Sequence, residues 1–72
     1  MLIVKGQHLH VNHKRRGEFD AVATRDFDTD SEEFYPVAVA KGSLIKGFSV
    51  TTWWGPGDEI PCRKSLCTLT II

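Results

Sequence analysis

The chain has 72 residues, 42% hydrophobic and 25% charged, with a formal net charge of zero. That composition fits one small folded domain spanning residues 1–72, which buries about 60% of the surface its unfolded form exposes. It argues against a disordered tail, and no apolar run nears the roughly 20 residues of a membrane-crossing helix, so no membrane partner is expected.

Met1, Leu2, Ile3 and Val4 are apolar, but Lys5 and Gly6 interrupt them well short of the apolar stretch of an export signal. A cytoplasmic location is the expectation. Alternation of period two begins at "HLHVN", where Leu9 and Val11 alternate with His8, His10 and Asn12, which predicts a half-buried strand. Arg15, Arg16 and Gly17 then supply a turn in which the glycine is free to adopt a positive φ.

A second strand is predicted over residues 18–27, with Phe19, Ala21 and Ala23 on one face and Asp20, Val22 and Thr24 on the other. Apolar residues on both faces suit a strand that bends. Residues 26–33 read as an acidic loop. Residues 34–40 read as a third strand, with Tyr35, Val37 and Val39 on one face and Pro36 favouring a strand start or an edge.

The β-branched and aromatic run over residues 44–54 predicts a fourth strand, broken at Gly47, and "GPG" at 55–57 ends it. The segment "IPCRKSL" is too short for a stable helix but accommodates one 3₁₀ turn. In the closing strand Cys67, Leu69 and Ile71 alternate with Thr68 and Thr70. Five short strands with one such turn before the last describe an all-β, strongly bent antiparallel barrel.

In this pattern the chain resembles the Src-homology-3-like barrels and, among them, the KOW-type modules. The resemblance is carried by "HLHVN" leading through the basic turn "HKRRG" to the bent strand "EFDAVATRDF", and by the short turn "PCRKSL" before "CTLTII". It implies the barrel fold and carries no functional residue across, because fold alone does not supply function. The size and sorted charge are also similar to those of accessory proteins of bacteria and their phages.

Zero net charge conceals an asymmetry. Four cations, Lys5, Lys14, Arg15 and Arg16, accompany His8, His10 and His13 before any acid occurs. Seven acids then follow from Glu18 to Glu33 against the single cation Arg25. Such sorting bears on association and steering.

Lys14, Arg15 and Arg16, beside His13, form a candidate phosphate grip, which an outward Trp53 or Trp54 would complement by stacking on a base. The ordinary alternative is a solvated hairpin tip. Asp26, Asp28 and Asp30 resemble the opening of a calcium loop, but Ser31 stands where its glycine belongs and Val37 where its bidentate Glu belongs, so the metal reading fails on spacing. His8, His10, His13, Cys62 and Cys67 are zinc-type ligands without zinc-site spacing. They read instead as surface histidines and small buried thiols.

Arg63 and Lys64 beside Cys62 would activate an exposed thiol, but no base partner accompanies it. Two cysteines in an ordinary composition also read as reduced thiols, not a disulfide framework. Neither a cofactor nor catalysis is expected.

Adjacent strand tryptophans face opposite ways. The alternation assigns Trp54 to the core and Trp53 to solvent, where an indole anchors an interface. The leading expectation is therefore a non-enzymatic module that binds another protein through Trp53, Asp26, Asp28 and Asp30. The alternative is nucleic-acid binding through His13, Lys14, Arg15 and Arg16. Self-association through open strand edges is a third.

Overall fold

The period-two segments assemble into an antiparallel sheet in the computed structural model, which describes residues 1–41, 45–46 and 53–72, with 45–46 and 53–54 described by their pairing alone. Eight strand segments occur among the described residues: β1 (Leu2–Ile3), β2 (His8–His13), β3 (Gly17–Ala23), β4 (Phe27–Asp28), β5 (Val37–Val39), β6 (Ile45–Lys46), β7 (Trp53–Trp54) and β8 (Cys67–Ile71). Four form a central sheet in the order β5-β3-β2-β8, while β1 pairs with β4 and β6 with β7. All pairings are antiparallel. Among the described residues there is no helix, and so none long and apolar enough to cross a membrane.

The hairpin of β2 and β3 organises the domain. Leu9, Val11 and His13 point inward from β2, and Phe19, Ala21 and Ala23 from β3, while the intervening residues face outward or lie partly covered. The register sets Leu9 against Ala21 and Val11 against Phe19, so a large side chain meets a smaller one along the shared face. Leu9, Val11 and Ala21 are fully buried. Each complete burial of a Leu or Val side chain is worth about 1.5–3 kcal/mol, which makes this face the main source of cohesion.

Ile3 from β1, Phe27 from β4, Val37 and Val39 from β5, and Tyr35, Ile60, Cys62 and Cys67 close the core. The Phe27 and Tyr35 rings lie 5.7 Å apart between centroids, tilted by 35°. At the hairpin tip Gly17 takes φ +81°, a left-handed conformation that side-chain-bearing residues adopt only with strain.

Several sequence expectations need correction. Among the described residues the strand segments number eight, not five, because two runs divide and Leu2–Ile3 adds a strand that the alternation does not predict. The segment 18–27 ends as a strand at Ala23, and Phe27–Asp28 pairs with Leu2–Ile3 instead, in register Ile3↔Phe27. The run over 44–54 is two strands, Ile45–Lys46 pairing antiparallel with Trp53–Trp54. The strand expected over 34–40 shortens to Val37–Val39. Before it, the Pro36 carbonyl accepts the Thr24 backbone and hydroxyl, and Tyr35 N–H donates to Cys62.

Before β8 the single turn forms, Leu66 N–H donating to the Arg63 carbonyl three residues back at 2.9 Å. Among the described residues the outer strands β5 and β8 do not pair with each other, and the pairing of those residues shows an all-β antiparallel arrangement without showing barrel closure. The outer edge of β5 is covered: Val39 N–H donates to the Asp58 carbonyl at 2.9 Å, and Ala38 bridges to Glu59. The edge of β8 away from β2 carries no strand among the described residues.

Candidate functional site

The basic turn lies beside a second loop from far along the chain. β2 and β8 pair from Leu9↔Ile71 to His13↔Cys67, and the ladder continues past the strand end, where Lys14 N–H donates to the Leu66 carbonyl at 3.0 Å. That pairing sets the loop at 61–66 against the hairpin tip. An isolated bridge between Phe34 and Arg63, with Lys64 N–H donating to the Glu33 carbonyl, adds the end of the acidic segment as a further wall.

Between these pieces lies a cleft of about 200 Å³. Arg15, Arg16 and Arg63 line it together with the apolar Phe34, Pro61 and Leu66, and His13 completes the lining. Phe34 is 49% exposed, unusual for an aromatic ring in so small a domain, and the Arg63 guanidinium lies 5.1 Å from its centroid. Such cation–π stacking holds both groups in a common orientation. Arg63 Nε also lies 3.5 Å from Glu33 Oε1, so its charge is partly answered within the protein.

His13 is buried, which corrects the expectation of a surface histidine. Its Nδ1 accepts the Arg15 backbone N–H at 3.1 Å. Burial lowers its pKa below the ordinary value, the neighbouring Arg16 charge adds to that, and a hydrogen bond with the Pro61 backbone opposes both. His13 is thus a neutral strut joining the turn to the second loop, and it orients Arg15 instead of presenting a charge of its own.

The other candidate residues are distributed elsewhere. Lys14 is exposed at the tip and outside the cleft lining. Asp26 accepts the Lys5 backbone N–H at 2.6 Å. Asp28 accepts the Asp30 N–H at 2.9 Å and lies 3.3 Å from the α-ammonium of Met1, and these interactions lower its pKa, the backbone hydrogen bond most. Asp30 lies 3.4 Å from the same ammonium with its side chain largely exposed. Asp28 and Asp30 therefore meet at the Met1 ammonium, while Asp26 makes a separate contact with the Lys5 backbone.

His10 is flanked on the outer face by Asp20, 2.9 Å from Nδ1, and Glu18, 3.1 Å from Nε2. Hydrogen bonds to Asp20 and then Glu18 raise its pKa above the ordinary value. His8 and His10 lie on the face opposite His13 and the cysteines, and among the described residues no three potential ligands gather around a metal position. The side chains of Trp53 and Trp54, and so the assignment of one to solvent and the other to core, lie outside the described residues.

Phe34 and Arg63 are among the cleft residues that local sequence reading misses. Their meeting depends on a bridge across 29 positions, which no local periodicity encodes. The cleft offers guanidinium donors around an exposed aromatic and aliphatic surface, which suits a ligand both anionic and planar. Compared with known proteins, the chain matches no family model, no curated protein and no solved structure.

Proposed function

We propose that this chain is a small non-enzymatic binding module of the Src-homology-3-like barrel type that recognises single-stranded nucleic acid at the cleft between the β2–β3 turn and the 61–66 loop. The observation that carries this reading is the convergence of Arg15, Arg16 and Arg63 on a cleft with a half-exposed phenylalanine. Guanidinium groups hold phosphates through paired donors, and an aromatic ring receives any base by stacking, worth about 1–3 kcal/mol. A zero net charge does not oppose the reading, because the cations are gathered here while Asp26, Asp28 and Asp30 are occupied elsewhere. The two reduced thiols support a cytoplasmic setting.

Fluorescence anisotropy with a labelled oligothymidylate at low salt tests it. Binding that weakens with salt and falls at least about tenfold in Arg15→Ala combined with Phe34→Ala is expected. No binding at low salt refutes it.

A protein-binding reading draws on a different surface. Leu2 and Val4 are 77% and 55% exposed in the first segment, whose Met1 ammonium lies against the exposed Asp30. Leu2→Ser with Val4→Ser reduces capture of a protein partner on that reading and leaves oligonucleotide binding unchanged.

A further inference from the structure

The turn that shapes the cleft wall also brings two sulfurs together. Cys62 and Cys67 flank residues 63–66, and the Leu66 N–H to Arg63 carbonyl hydrogen bond folds that segment back on itself. Cys62 Sγ lies 2.7 Å from Cys67 Sγ and donates its S–H to it. Both residues are buried as free thiols. They are not equivalent: Cys62 is wholly enclosed, whereas Cys67 lines an open groove of about 190 Å³ with Met1, Thr29, Tyr35 and Leu69.

We propose that Cys62 and Cys67 form a reversible disulfide site, in which a small hydroperoxide entering the groove oxidises Cys67 and Cys62 then closes the ring around residues 63–66. The hydrogen bond from Cys62, with the Arg16 charge nearby, lowers the Cys67 pKa, while the same hydrogen bond and burial raise that of Cys62. Burial opposes the shift at Cys67, which is still the more readily ionised of the two thiols, while Cys62 is the one that keeps its proton.

The electrons balance against the peroxide. Cys67 thiolate attacks one peroxide oxygen, the O–O bond breaks, and the departing oxygen leaves as water, or as an alcohol from an alkyl hydroperoxide, carrying the proton Cys67 gave up. Cys67 is left as the sulfenic acid. Cys62 sulfur then attacks Cys67 sulfur, the S–O bond breaks, and the oxygen departs as water with the Cys62 proton. Two thiols lose two electrons and two protons, and one peroxide bond gains them.

The ring encloses Arg63 and Leu66, both of which line the cleft. Oxidation ties their loop covalently to the start of β8. The site itself is independent of what the cleft binds, and the disulfide is measured without any ligand, so neither proposal's failure bears on the other.

The experiment treats the wild-type protein with stoichiometric to modest excess hydrogen peroxide, quenches it in acid, unfolds it and alkylates it. The expected product has lost two hydrogens by intact mass and carries no alkylated cysteine. Its melting temperature is higher by about 10 °C and returns to the starting value with a dithiol reductant. Cys62→Ser stops at a sulfenic acid on Cys67, trapped by a 1,3-diketone probe, and Cys67→Ser gives no adduct. Two alkylatable thiols remaining after treatment, oxygen added without loss of hydrogens, or an unchanged melting temperature in the oxidised form each overturn the proposal. The wild-type measurements decide it even if a variant fails to fold.

Discussion

Glu33→Gln is expected to strengthen oligonucleotide binding and to make it more sensitive to salt. Three guanidinium groups line the cleft, but Arg63 has Glu33 at 3.5 Å and Arg16 is half-buried, so roughly one charge, that of the exposed Arg15, is fully available to phosphate in the wild type. Single-strand binding falls with salt by about 0.7 log units per log unit for each phosphate neutralised, so the wild-type slope is about −0.7. Raising salt fourfold, from ~50 to ~200 mM, then weakens binding about 2.6-fold.

Removing the Glu33 charge releases Arg63 to a second phosphate. The slope steepens to about −1.4 and the loss over the same range grows to about sevenfold. Arg15→Ala moves the slope the other way, toward zero. Both members of the Arg63–Glu33 pair are more than half exposed, so breaking it costs the fold less than about 1 kcal/mol and the variant remains a fair comparison. Anisotropy titrations at four or five salt concentrations supply the slopes. Equal slopes for wild type and Glu33→Gln, or a steeper slope for Arg15→Ala, refute the assignment of this cleft.

Three further outcomes are expected. Gly17→Ala, where an added Cβ meets nothing within 4 Å, costs about 1–2 kcal/mol from backbone strain alone and lowers the melting temperature by roughly 5–10 °C; an unchanged melt refutes the need for a left-handed residue there. Leu9→Ala removes a fully buried side chain at about 2–5 kcal/mol, against a total stability of roughly 4–11 kcal/mol for a domain of this length, and denaturant titration should find it near the margin of folding. The raised pKa of His10 means its contribution to stability is complete below the unfolded value near 6.5 and disappears as pH rises through the folded value. Asp20→Asn should flatten that decline in urea melts between about pH 6 and 8.5, and an NMR titration placing His10 at or below 6.5 contradicts it.

Much of the central sheet was readable from the residues, because β2, β3 and β8 alternate over five to seven positions; β2 and β3 bury one face throughout, while β8 buries Cys67, half-buries Leu69 and leaves Ile71 exposed. The turn at Gly17 was legible for the same local reason. The short ribbons were not. Leu2–Ile3 and Phe27–Asp28 are two residues each, too brief for a period, and they form through a pairing between positions 25 or so apart in the chain. The acidic content of residues 26–33 further disguised β4, since Asp28 sits in a strand while its carboxylate holds a backbone N–H and an ammonium.

The site was half legible. Arg15 and Arg16 announce themselves in a run of cations, but Arg63 stands next to a lysine that turns elsewhere, donating to the Asp30 carbonyl. His13 has the composition of a phosphate ligand and the environment of a core residue. What decides between them is its inward position in the β2 alternation, one step beyond Val11.

The two rims of the central sheet differ in kind, and this limits how copies of the domain can join. With β5 already engaged by residues 58–60, β8 is the sheet's single unoccupied border among the described residues. Two molecules meeting there about a twofold axis would occupy that border in both copies at once, giving a closed pair in which the central sheet does not extend further.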